Sequence, residues 1–183
     1  PVFPDTLSFP SDLEREFEKY VYSGNLRGYY DIDNNIQLNV GLNSEYQSNE
    51  ITGVSFLIPA YKQFSLGGFA LARYSLSSKS LVQAGVRYDY GQSNTKEYFD
   101  WYLSEVVDEN NDTTNVFKQR AFNLKRSFSS LSWSAGYNYV SDNWMFKANV
   151  GKSFRMPITK EVGANGIEWH MYRYVIGNST LKP

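Results

Sequence analysis

The chain has 183 residues, room for one ordinary domain, and its 18 Lys and Arg nearly cancel 19 Asp and Glu, which excludes the basic excess of a nucleic-acid-binding surface. It has no Cys and one His, which excludes disulfide frameworks, Cys-zinc sites, Cys nucleophiles and multi-histidine metal sites. Phe, Trp and Tyr make up 17% of it at a mean hydropathy of −0.48, and so many rings in a polar chain call for surroundings apolar on one side and wet on the other.

The chain opens at Pro1-Val2-Phe3-Pro4 and stops at Leu181-Lys182-Pro183. Both ends read as cut, so a fragment of a longer protein is expected. No run approaches the roughly 18 apolar residues of a transmembrane helix, and no signal peptide is seen. Ser11-Asp12-Leu13-Glu14 has the S-x-x-E form of a capping box and predicts a short helix running to Phe17. After Lys19 the period becomes two. Tyr20, Tyr22, Gly24, Leu26, Gly28, Tyr30 and Ile32 share one face, and mostly polar residues share the other. Asp33-Asn34-Asn35 turns the chain, and Ile36, Leu38, Val40 and Leu42 resume the pattern.

An irregular stretch is expected from Gln47 to about Tyr61. Alternation returns with Phe64, Leu66, Gly68, Ala70, Ala72, Tyr74 and Leu76, then a Ser-rich turn at 77–80, then Val82, Ala84, Val86, Tyr88 and Tyr90. The longest gap, Gln92 to Arg126, holds the acidic run Asp108-Glu109-Asn110-Asn111-Asp112. Leu131, Trp133, Ala135, Tyr137 and Tyr139 make a fifth strand, Ser141-Asp142-Asn143 a turn, and Trp144, Phe146, Ala148 and Val150 a sixth. An irregular tail begins near Met156.

The fold expected is all-β: an antiparallel up-and-down meander of about six to seven strands, part of a larger transmembrane β-barrel. Short and long connections alternate, as in barrels with short turns at one membrane face and long loops at the other. Each strand offers the roughly 9–11 alternating residues needed to cross the hydrocarbon at a tilt. Rings near strand ends, such as Tyr22, Tyr30, Tyr90, Tyr139 and Trp144, suit an interfacial girdle. A soluble barrel or sandwich with its apolar face turned inward also alternates and stays open as an alternative.

The tail carries a more specific pattern. Gly151-Lys152-Ser153-Phe154-Arg155-Met156-Pro157 is followed by Glu161, Ala164-Asn165-Gly166, His170, Arg173-Tyr174 and Gly177-Asn178-Ser179-Thr180-Leu181-Lys182-Pro183. This order and spacing resembles the barrel domain of TonB-dependent outer-membrane receptors, with their G-x-x-F-R-x-P box, N-G loop, R-Y strand and G-N-x-x-L-x-P box. Gly85-Val86-Arg87-Tyr88-Asp89-Tyr90 and the hairpin around Asp142-Asn143 resemble family strands too. Met156 and Ser179-Thr180 depart mildly from the family pattern.

The resemblance implies that residues 1–183 are part of a barrel of about 22 strands, whose plug domain and remaining strands lie outside this sequence. It implies a cell outer-membrane location in a Gram-negative bacterium and energy-coupled uptake of a scarce ligand such as an iron-siderophore, haem or cobalamin. TonB would act through an N-terminal segment of the parent, outer-membrane lipid would be a second partner, and no nucleic acid is expected. A non-transporting outer-membrane barrel and a soluble β-sheet binding module are the alternatives.

Candidate ligand-binding residues are Tyr98, Phe99, Trp101 and Tyr102 in the longest loop, Arg155 in the first box and His170 between the boxes. Exposed rings on a loop suit recognition, although packing against neighbouring loops explains them equally. Arg155 can fix the root of its loop or touch a ligand. Haem receptors of the resembling family place an iron ligand in the interval of His170, but other members also carry His there. The acidic run lacks the spacing of a calcium loop and reads first as solvated. Arg27, Arg73, Arg87 and Lys147 fall on the polar face and are expected to pair with Asp31, Asp89 or plug carboxylates. No catalytic set, metal site or cofactor emerges.

Overall fold

The computed structural model describes residues 13–107 and 111–182. Among the described residues, ten strands form three antiparallel sheets. The main sheet joins β1 (Glu16–Asp31), β2 (Ile36–Thr52), β3 (Tyr61–Ser77), β4 (Ser80–Thr95), β7 (Leu124–Val140) and β8 (Met145–Lys152) in chain order. Between β4 and β7 the chain makes a separate hairpin of β5 (Tyr98–Val107) and β6 (Thr113–Ala121). After β8 come a short helix α1 (Thr159–Gly163) and the hairpin β9 (Asn165–Glu168) and β10 (Arg173–Ile176), joined by a 3-10 turn at Trp169–Met171. The sheet is open, with the outer edges of β1 and β8 unpaired within it.

The meander of six strands stands where the periodicity put it, but four expectations are corrected. Glu16 and Phe17 belong to β1 rather than a helix, because they pair across to Thr52 and Ile51 and a sheet ladder outweighs local helical preference. Ser11 and Asp12 lie outside the described residues. The irregular stretch after Gln47 shrinks to residues 53–60, since β2 runs on to Thr52. The gap 92–126 is a hairpin with its own ladder, and the tail holds α1, β9 and β10.

Register sets the two faces. Directly paired residues point the same way, so Gly28, Val40, Ala70, Val86 and Trp133 form one row. Five parallel rows flank it, from Ile36, Tyr74, Val82 and Tyr137 at the short-turn end to Tyr22, Tyr46 and Phe64. From Ile36 to Tyr46 the six rows span about ten residue steps, about 34 Å along a strand and about 26 Å in height at a 40° tilt, close to the roughly 25 Å apolar band of a membrane barrel. Rings rim both ends, with Tyr22 against Tyr46 at one and Tyr139 against Trp144 at the other. Above the upper rim the same face turns polar at Ser48, Lys62, Asn94 and Lys125. This apolar face is exposed in the chain alone, with Leu26 at 70% and Val150 at 62%.

The opposite face is polar and rich in small residues. Asp89 and Arg87 form a forked ion pair on β4 at 2.6–2.9 Å. Gly67 makes room for it, since a Cβ there would collide with Asp89 Oδ1 and stand 2.6 Å from Arg87 Nη2. Of the four polar-face cations expected to pair, Arg87 alone makes an ion pair among the described residues.

The buried core sits at one end of the wall rather than along it. Phe56, Leu57, Pro59, Ala121, Phe128, Pro157, Val162 and Ala164 are buried among the described residues, and all lie toward the long-loop end. There the chain leaves β8 and crosses the polar face. Met156 rests on Gly91, where a Cβ would collide with its sulfur, and Pro157, Thr159 and Val162 settle beside Thr95, Leu124 and Phe128.

Candidate functional site

The long-loop end gathers three segments: residues 53–60, the β5–β6 hairpin and the tail from Ser153 onward. Gly53 starts the first with φ +104°, a left-handed conformation suited to glycine, in a space so closed that a Cβ would stand 2.6 Å from the Glu14 carbonyl. The turn brings Phe56 and Leu57 inward. Phe56 stacks on Tyr98 with ring centroids 4.5 Å apart, and the Leu57 carbonyl accepts from the Asn165 amide at 3.0 Å. Trp101 Nε1 donates to the Val54 carbonyl at 3.0 Å, and its ring meets Tyr102 edge-on.

Thus the aromatic run predicted as a recognition cluster divides. Tyr98, Trp101 and Tyr102 are partly buried in packing among loops, and Phe99 is 49% exposed. Burial, then the neighbouring Asp100 charge, pushes the Tyr98 phenol above its ordinary pKa.

Two residues absent from the sequence-based candidates hold this assembly together. Asp100 is 6% exposed and accepts from Arg120 Nε at 2.7 Å. Burial works against the Arg120 charge, but Asp100 and the flanking phenols more than offset it and hold the guanidinium pKa up. Arg120 also donates to Tyr174 at 2.8 Å and to Tyr102 at 3.4 Å. Tyr174 donates to Asn165 Oδ1 at 2.6 Å, and Asn165 Nδ2 donates back to the Arg120 carbonyl at 3.0 Å. The signal in sequence is a single carboxylate within a run of rings, which needs a cation when buried. Its partner lies twenty positions away, so the sequence does not name it.

Arg155 is bonded through both terminal nitrogens to Glu161, at 3.1 and 2.8 Å. Glu161 also accepts from the Ile158 amide at 3.0 Å, which closes the chain around Pro157 and starts α1. The Arg155 fork first, and the Ile158 amide second, hold the Glu161 carboxyl below its usual pKa. In the same way Lys160 and Arg173 depress Glu168. The second box is stitched to α1 and its C-terminal end, since the Gly177 and Asn178 amides donate to the Ala164 and Glu161 carbonyls at 2.7 Å each. Arg126 on β7 donates to the Ser179 and Leu181 carbonyls beyond them.

His170 stands on the exposed tip of the β9–β10 hairpin, apart from the Arg120 cluster and without a hydrogen-bonding partner among the described residues. Met171 and Tyr172 flank it at 61% and 92% exposure, and Tyr172 adopts a left-handed backbone with φ 49°. In the acidic run, Asp108, Glu109 and Asn110 lie outside the described residues. Among the described residues no group of three His, Asp or Glu side chains is placed to hold a metal ion.

An open antiparallel wall with one apolar face rimmed by rings and one polar face has the build of a slice of a β-barrel wall. The chain belongs to the TonB dependent receptor-like, beta-barrel family, whose model matches residues 4–183. That family is one of outer-membrane receptors of Gram-negative bacteria rather than a class of enzymes. Among solved structures the fold is similar to the Serratia marcescens hemophore receptor HasR, determined as a double mutant in complex with its hemophore HasA and heme. The TM-score is 0.67 at 18% identity, over 92% of this chain. The match spans 28% of that receptor's length. No curated protein matches the sequence.

Proposed function

We propose that this chain forms part of the wall and outer mouth of an outer-membrane receptor for energy-coupled uptake of a scarce ligand, an iron chelate, haem or cobalamin. The observation that carries the reading is the placement of the buried core. A wall that is exposed on its apolar face suits lipid, while three loops packed into one ordered mouth suit capture of something from outside. On this reading the apolar face meets lipid, and the polar face looks into the lumen toward a plug domain encoded elsewhere in the parent. The remaining strands of the parent cover the free edges of β1 and β8, which lipid would not tolerate. TonB acts on an N-terminal segment outside this chain.

The ligand surface consists of Phe99 and the exposed parts of Tyr98, Trp101 and Tyr102, with Arg155 and His170 at the tail. The likeness to a receptor solved in complex with its hemophore and heme favours haem within this set, with His170 as the nitrogen donor. Cells carrying or lacking the intact parent gene, tested for uptake of a panel of ferric chelates, haem and cobalamin, decide the matter. Dependence of one substrate on the gene supports the reading. Dependence of none overturns it and leaves a barrel without import. If haem is the substrate, His170→Ala abolishes its uptake and leaves the amount of receptor in the membrane unchanged.

A further inference from the structure

The hydrogen bonds around Arg120 form a closed directional ring. Arg120 Nη1 donates to the Tyr174 hydroxyl, Tyr174 donates to Asn165 Oδ1, and Asn165 Nδ2 donates to the Arg120 carbonyl. Each group uses its donors and acceptors in the one sense that satisfies all three contacts, which also sets the amide orientation of Asn165. The Arg120 Nε anchors the ring to buried Asp100 on β5, and the Asn165 amide anchors it to Leu57 in the 53–60 turn. Arg120 therefore touches both outer hairpins, while no ladder joins them: β5–β6 and β9–β10 are separate sheets.

The wall has no need of this ring. It lies beyond the last rows of the main sheet, and no residue of the six wall strands bonds to it. We propose that Arg120 is a positioning residue that yokes the β5–β6 hairpin to the β9–β10 hairpin, so that the ring cluster at 98–102 and the His170 tip meet a ligand as one surface. The proposal deepens the receptor reading and rests on it for the word ligand, but the yoke itself is made by the chain's own residues.

A fork is needed because one guanidinium must reach Asp100, Tyr174 and Tyr102 along different directions. A lysine at 120 would keep the charge and reach one of them. Tyr174→Phe is the gentler cut, since it removes the one oxygen that closes the ring and leaves the Asp100 pair in place.

The test uses the intact parent receptor in outer-membrane vesicles, with spin labels at Lys118→Cys on β6 and Met171→Cys on the β9–β10 tip. In the otherwise unaltered protein the label-to-label distance distribution is single and narrow. Tyr174→Phe and Arg120→Lys each broaden it about twofold, because two hairpins freed from one another sample independent positions. A second pair of labels within β5–β6, at Glu105→Cys and Asn115→Cys, stays as narrow as before and shows that the hairpin itself is folded. If Arg120→Lys does not reach the membrane, Tyr174→Phe decides alone. An unchanged distribution in Tyr174→Phe overturns the proposal. Because the measurement is made without any ligand, failure of the uptake panel leaves it readable, and its own failure leaves the uptake reading standing.

Discussion

Placing arginine at Val86 tests which face of the wall meets lipid. Val86 lies in the third of the six apolar rows, level with Val40, Ala70 and Trp133. Rows stand about 5 Å apart in height at a 40° tilt, so this row is about 3 Å from the middle of the band. A guanidinium at that depth costs about 2–4 kcal/mol in a membrane barrel. Phe64, in the uppermost row, sits about 13 Å from the middle, and the same substitution there costs about 0–1 kcal/mol. Ser130, on the polar face beside Asp89, takes an arginine for less than about 1 kcal/mol if, as proposed, that face looks into a wet lumen, since it also stands beside a carboxylate. Urea unfolding of the intact parent in lipid vesicles gives the three costs. Equal costs at Val86 and Phe64 would remove the depth dependence on which the lipid assignment stands. A larger cost at Ser130 than at Val86 would invert the faces.

Three further substitutions probe the mouth. Asp100→Ala leaves Arg120 without its carboxylate in a largely buried place and destabilises the hairpin by about 3 kcal/mol, read as faster hydrogen exchange of β5 and β6 amides. Gly91→Ala drives a methyl into the Met156 sulfur and costs about 1–2 kcal/mol in the same unfolding assay, and Met156→Ala in the same chain recovers most of it. Glu161 has its pKa lowered by Arg155 and the Ile158 amide, so its contribution is complete above its unfolded value and is lost as pH falls through the depressed one. Protection of the Ile158 amide therefore drops at acid pH in the wild type. In Glu161→Gln it is already low at neutral pH and changes little with pH; equal pH dependence in both proteins would refute the assignment.

What could be read from sequence follows where contrast existed. Between Ile36 and Leu42, or Val82 and Tyr90, one face meets apolar surroundings and the other water, and the alternation is plain. From Gln47 to Thr52 the same strand continues with no apolar band beside it, so both faces turn polar and the period fades although the ladder persists. In the β5–β6 hairpin the register slips, with Phe99 opposite Gln119 but Leu103 opposite Phe117, and the irregularity erases a period of two. The opening capping box is sound local chemistry, yet Glu16 and Phe17 gain strand partners that a short helix could not supply. The aromatic run at 98–102 was visible as a cluster. Its division into packed and displayed rings was not, because Phe56, Val54 and Arg120 reach it from distant parts of the chain.

The location of the core at the mouth also orders events in time. Most wall strands pair with sequence neighbours across short connections and close locally at small entropic cost, while β7 returns to β4 only after the intervening β5–β6 hairpin. The mouth needs Phe56, Tyr98, Ala121 and Val162 together, with about a hundred residues between the first and the last. It therefore sets after the wall has formed, and on heating or in denaturant it opens before the wall gives way. The chain thus carries two thresholds, a low one for rearranging its outer surface and a high one for losing its place in the barrel.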